Sequence, residues 1–411
     1  MNSRLIGGWN RFWFEPRSTQ SLCLFRIFFG VVFLMKMTGF SNLQRIGRLR
    51  ARFPRHQFTD EADYYLDAFR LPVPGFERLP VPELWQYQAL EYLLLVAGVL
   101  FTVGLATRWA GGAIAVIWLY QFLLSQFTYR HHVMVIAVVM LVLAFSRCDE
   151  YYSLSAYLRG PEAPRPRRPI LPIRLLQVFL SIVYFFSFAG KLNPSWISGD
   201  IMLVFEHQGS VSGDLADGLD WLFAWPALAG LGELFYRSLA WFTLGAEGLL
   251  AFGIWVPRWR NCTILVGLLL HLGIDLTMSV ATFSFQMFAL YVVLIQPESG
   301  RLLAYYDGES PAARVAMRRC RLFDWLQRVT WIDMSRVEHE AAPPFEPIEG
   351  EIVVQGGDGR WLRGYSALVR LCAHFPLGFL PSWLMRAPGV RYLGARLLPA
   401  YPVTSGARLD P

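Results

Sequence analysis

The chain has 411 residues, a formal charge of +7, 54% hydrophobic and 17% charged residues, and a mean hydropathy of +0.35. That balance excludes an ordinary soluble domain and excludes disorder over most of the chain; 15% aromatics suit helices that end at lipid headgroups. The basic residues are dispersed among apolar segments instead of forming a stripe, which speaks against nucleic acid, and five scattered cysteines form neither a disulfide framework nor a metal cluster.

In chain order, residues 6–14 mix Trp, Phe and Arg and read as an interfacial helix. A first span follows over 22–40, with Arg26 and Lys36 inside it, and then a polar, Pro-rich segment over 41–83. Further spans are expected over 85–106, 109–127, 132–145, 173–189, 234–256, 262–278 and 281–295, each near or below the roughly 20 residues a bilayer requires. The stretch 147–174 holds six arginines and few acids, so the positive-inside rule places it in the cytoplasm. Alternation over about eight spans then puts the acidic loop after Lys191 outside, with a re-entrant or interfacial piece over 215–230, and both termini in the cytoplasm. The expectation is a multi-pass protein of the inner membrane.

From residue 297 the character changes to fourteen arginines, no lysine, and strand-like runs separated by turn residues. The pattern predicts a strand over 302–306, a helix over 311–327, a strand over 329–334, a hairpin over 351–354 and 361–362, and a helix over 365–374. That is the order of a small thioredoxin-like α/β domain. The expected fold class is therefore a polytopic all-α membrane bundle over 1–297, followed by a thioredoxin-like α/β domain over 298–411.

Three constellations can carry chemistry. Lys191 closes an apolar helix and precedes a Pro turn, Trp196 and a Gly; it is one of two lysines in the chain. A desolvated lysine can act as a general base, which arginine cannot, whereas a structural reading makes it a snorkelling helix-end cation. His131 and His132 head the 132–145 helix, where an imidazole can relay a proton or merely make a polar helix start. His271 and Asp275 stand one turn apart on one helix face, so the carboxylate can fix the imidazole tautomer, or the pair can serve packing alone. Arg26, Glu91 and Glu247 also lie inside expected spans and read as architectural charges.

These residues carry a resemblance. Leu24-Phe-Arg-Ile-Phe-Phe-Gly30, His131-His-Val-Met, Ser146-Arg-Cys-Asp-Glu-Tyr-Tyr-Ser153, Ala189-Gly-Lys-Leu with Trp196 and Gly199, and His271 with 283–290 occur in an order that resembles the horizontally transferred transmembrane (HTTM) domain shared with vitamin K-dependent gamma-carboxylase. The resemblance covers roughly residues 15 to 300. It implies Lys191 as the base that deprotonates a reduced, vitamin K-like quinone, and His132 as the supporting histidine. His131, His271, Asp275 and Trp196 would then support the site, and no metal would be needed. The carboxylase's large substrate-binding region has no counterpart after residue 300.

The tail has its own resemblance: Tyr305-Tyr-Asp-Gly-Glu-Ser-Pro-Ala-Ala313 and 356–367 are similar to segments of the DCC family of thioredoxin-like proteins. Ser310 and Ala313 occupy the two cysteine positions, which implies a domain without thiol-disulfide exchange. Two functions follow as expectations. One is a carboxylase-like membrane enzyme acting on a reduced quinone with Lys191 as base. The other is a non-catalytic quinone- or lipid-binding or scaffold protein in the bilayer, whose redox-dead tail docks a cytoplasmic protein. A transporter is a weaker third, since no internal repeat is visible.

Overall fold

A computed structural model describes residues 2–38, 71–126, 131–160, 167–208, 218, 221, 229–278, 282–294, 302–324, 329–336, 351–355, 359–375, 378–386 and 388–397. Most of the expected polar segment over 41–83 and of the re-entrant piece over 215–230 lies outside these residues. The chain divides into two compact units, Met1–Gln296 and Pro297–Pro411.

In the first unit, α1 (Asn2–Phe14) is followed by β1 (Pro16–Arg17) and α2 (Gln20–Met37). Next come α3 (Leu84–Val103), α4 (Thr107–Leu124), α5 (His131–Ala144), α6 (Leu154–Arg159) and β2 (Arg168–Pro169). Then α7 (Leu171–Gly190), two short helices α8 (Pro194–Ile197) and α9 (Asp200–His207), α10 (Ala229–Gly253), α11 (Arg260–Thr277) and α12 (Phe283–Tyr291) complete it. The two-residue strands β1 and β2 pair antiparallel. Beside them, buried Glu150 accepts from Thr19 Oγ1 at 2.9 Å and from Arg168 Nε at 2.8 Å, which ties the chain start to the 146–170 connection.

The core of this unit is apolar around one cation. Phe25, Phe29 and Phe33 of α2 are fully buried, and Arg26, from the same helix, is fully buried among them. Its guanidinium donates to the carbonyls of Phe101, at the end of α3, and of Tyr152, just before α6, while its Nε is buried without a hydrogen-bond partner among the described residues, so the cation is held by backbone carbonyls and not by a carboxylate across the bundle. Gly104, at φ +81, caps α3 in the left-handed region, where a side chain would collide with Arg26 and Ser153. Glu91 accepts from Gln121 Nε2 at 3.0 Å, joining α3 to α4.

The expected fold class needs correction. Each of the eight expected spans coincides with a helix, but among the described residues only four helices are long and apolar enough to cross a membrane: Gln20–Met37, Trp85–Val103, Leu171–Gly190 and Arg260–Thr277. The others fail for separate physical reasons. The 14 residues of α5 extend ~21 Å, well short of a hydrocarbon core of ~30 Å. The nine residues of α12, even with the 3₁₀ turn Val292–Leu294, are shorter still. In α10 the charges Glu233, Arg237 and Glu247 interrupt the apolar run, and α4 carries Arg108 and Gln121. Short apolar helices buried within a bundle need no lipid contact, so runs of apolar residues overstate the number of crossings.

In the second unit, β3 (Leu302–Tyr306), α13 (Pro311–Phe323), β4 (Val329–Asp333), β5 (Ile352–Gln355) and β6 (Trp361–Leu362) lead into α14 (Gly364–His374), α15 (Phe379–Met385) and α16 (Pro388–Leu397). The strand order is β4-β3-β5-β6: β3 is parallel to β4, with Leu302 opposite Val329, and antiparallel to β5, which pairs antiparallel with β6. The small α/β domain expected here is also corrected, because the unit is largely helical. Its helices have 13, 11, 7 and 10 residues against strands of 5, 5, 4 and 2, and α15 and α16 lie beyond the last predicted element. Leu302, Ala304, Val329, Val354, Ala367, Leu371 and Phe375 form its core.

Candidate functional site

The local sequence around Lys191 explains its placement. The helix α7 ends at Gly190 with Lys191 as its C-cap, whose backbone N–H donates to the carbonyls of Ser187 and Phe188. Asn193 then caps α8 by accepting from Trp196 N at 3.3 Å, with Pro194 in the first turn, and its Nδ2 donates back to the Gly190 carbonyl at 3.1 Å. This tight reversal folds the Trp196 ring over the lysine, with Nζ 5.1 Å from the ring centre.

The ammonium of Lys191 donates to Ser187 Oγ at 2.6 Å and to Glu247 Oε1 at 2.8 Å, and Ser187 Oγ donates to the same carboxylate oxygen at 2.8 Å. Ser187 and Lys191 are one turn apart on α7, and Glu247 arrives from α10. Gly248 lets those two helices close up, since a Cβ there would sit 3.2 Å from the Phe188 ring. The Glu247 side chain is 8% exposed and that of Lys191 21%, so the pair is largely withdrawn from solvent. The other carboxylate oxygen, Oε2, is buried with no hydrogen-bond partner among the described residues. An acceptor in that state has room for one donor from a ligand.

A second polar layer lies one to two turns earlier on α7. The Tyr184 hydroxyl is 2.7 Å from His271 Nε2 on α11 and hydrogen-bonds the Tyr291 hydroxyl on α12. Gly267 makes the space that the Tyr291 hydroxyl occupies. The imidazole stands edge-on to Phe283 at 5.4 Å between centres, and its Nδ1 is buried without a hydrogen-bond partner among the described residues. Asp275 is fully buried on the same helix, yet it does not hold the imidazole; Tyr184 does. Tyr184, Ser187 and Lys191 thus share one face of α7, and the two layers are successive rungs along it.

His131 and His132 occupy the first turn of α5, and their side chains lie outside the described residues. Ser310 and Ala313 sit in the second unit in a structural arrangement: Ser310 is the N-cap of α13 and accepts from Ala313 N at 3.3 Å, and both are buried. Burial and the neighbouring Cys372 thiol push the Cys320 thiol up, away from a reactive thiolate. Among the described residues no group of three or more His, Cys, Asp or Glu side chains could hold a metal ion.

Lys191 and Trp196, both singled out in the sequence, lie together, whereas Glu247 stood apart there as an architectural charge and Ser187, Tyr184 and Tyr291 were unmarked. Ser187 and Tyr184 had a signal, the i, i+4 and i, i+7 spacing to Lys191. Glu247 lies 56 residues away in sequence, and nothing local announces the pairing. Neither a curated protein nor a solved structure matches the chain. The model of the HTTM domain matches residues 14–298, the region that contains the four membrane-length helices and the whole Lys191 cluster. With more than half of its length matched, the chain is a member of the HTTM domain family.

Proposed function

We propose that this HTTM-family membrane protein is a binding protein for a lipid-soluble ligand with a hydroxyl-bearing head, a reduced quinone or a lipid, held at Lys191, Glu247 and Trp196, and that its second unit serves as a docking module for a cytoplasmic protein. The observation that carries the reading is the state of Lys191. Its side-chain nitrogen is engaged by Ser187, Glu247 and the Trp196 face, the arrangement of a held ion pair and not of an open base, while Glu247 Oε2 is left as a buried acceptor. Those are the properties of a recognition site: a fixed charge, an aromatic wall and one open acceptor. The N-capping role of Ser310 and the absence of cysteine at 310 and 313 support a tail without redox chemistry. The arginines of 147–174 support a cytoplasmic placement of that stretch and, with it, of both chain ends.

A second reading, carboxylase-type chemistry, rests on the same contact. If Lys191 hands its proton to Glu247, 2.8 Å away, the neutral amine can deprotonate a quinol. One experiment separates the two. Purified protein in nanodiscs is titrated with a reduced naphthoquinone, following tryptophan fluorescence for binding and oxygen-dependent epoxide formation for turnover. Binding that weakens at least tenfold in Glu247→Gln, with no epoxide formed, is the expected result. Turnover abolished in Lys191→Arg, which retains charge but not basicity, would replace the binding reading with the enzymatic one.

A further inference from the structure

Apart from the membrane site, the unit Pro297–Pro411 contains a cavity of about 230 Å³ between β6, α14 and the chain around α15 and α16. Three guanidinium groups line it: Arg370 from α14, Arg386 immediately after α15, and Arg391 from α16. Arg386 and Arg391 are exposed and make no ion pair among the described residues, and no Asp or Glu lines the cavity. Ser366 adds a hydroxyl, while Leu362, Val369 and Met385 make an apolar wall.

The framework that gathers these groups does not depend on their charges. The Tyr365 hydroxyl donates to the Met385 carbonyl at 2.9 Å, which pins the end of α15 beside Arg386. Gly394 lets α16 lie directly on the Tyr365 ring, where a side chain at 394 would collide, and this brings Arg391 to the rim. Convergent like charges repel one another, and an anion placed between Arg386 and Arg391 relieves the repulsion. Guanidinium forks match the tetrahedral oxygens of a phosphate, and a doubly charged one answers several of them at once. The apolar wall asks for a non-polar substituent on that phosphate. The volume falls below the roughly 300–1,000 Å³ of sites for drug-sized ligands, so the bound portion is small.

We propose that this cavity is a binding site for a phosphate monoester carrying an apolar group. A soluble metabolite and the headgroup of a phosphatidic acid share that chemistry. The test uses the full chain in nanodiscs of zwitterionic lipid and isothermal titration with phenyl phosphate. Saturable binding at one site per chain is expected. Arg386→Ala with Arg391→Ala should weaken it at least tenfold, and the two arginine-to-lysine changes should weaken it less. Arg318→Ala, an exposed arginine on α13 outside the cavity, should leave it unchanged. Thermal unfolding of each variant verifies that it is folded. Including phosphatidic acid in the disc assigns the source: displacement of phenyl phosphate marks the lipid headgroup, and undiminished binding marks the soluble ester. No saturable binding by the wild type overturns the proposal. So does binding unchanged in the double alanine variant, or weakened equally by Arg318→Ala.

Discussion

Lys191 and Glu247 illustrate how a buried ion pair behaves when one member is removed. Lys191→Met leaves a carboxylate that is 8% exposed without its cation, and by the cost of an uncompensated buried charge this should lower stability by about 3 kcal/mol. Adding Glu247→Leu should recover most of the loss, because the pair is then replaced by apolar packing; chemical unfolding in detergent reads both values. A second residue sets an alkaline limit. Burial pushes the Cys148 thiol from its ordinary value near 9 up to about 11. The folded state therefore keeps a proton that the unfolded state releases, and stability falls as the pH rises from about 9 through 11. Cys148→Ala should flatten that part of the pH profile of thermal unfolding, and a profile as steep as that of the wild type would contradict the assignment.

Helix ends decide much at the next scale. At Gly104 the left-handed cap of α3 and the guanidinium of Arg26 claim the same space, so Gly104→Ala combines a strained backbone with a collision and should destabilise the unit by about 3 kcal/mol. Removing the Ser310 cap is milder: Ser310→Ala should cost about 1 kcal/mol, and cysteine at this position would give up the same hydroxyl. Thermal unfolding ranks the two variants. The elements themselves were legible in sequence where periodicity and caps agree, as in the strand Leu302–Tyr306 and the start of α13 at Pro311. Crossings were not, since an apolar run has the same composition whether lipid or protein surrounds it. Spacing placed Asp275 on the face of His271, but the ring turned instead to Tyr184, from a helix 87 residues earlier, and no local rule contains that choice.

For the molecule as a whole, the division into Met1–Gln296 and Pro297–Pro411 gives each part its own buried core. Helices in lipid keep their internal hydrogen bonds in denaturant far better than a small water-facing core keeps its packing. Guanidinium titration in nanodiscs, followed by circular dichroism, should therefore show two steps, with the smaller loss of signal first; one cooperative transition would refute the separation. The scarcity of lysine has a practical consequence at this scale. Of 38 basic residues only Lys36 and Lys191 carry side-chain amines, and each lies against an indole ring, Lys36 over Trp118 and Lys191 over Trp196. An acylating tag read by mass spectrometry thus has only two side-chain addresses. The rate at which Lys191 is tagged, referenced to Lys36, becomes a gauge of how firmly Glu247 holds the amine, and any molecule that enters the site must change that ratio.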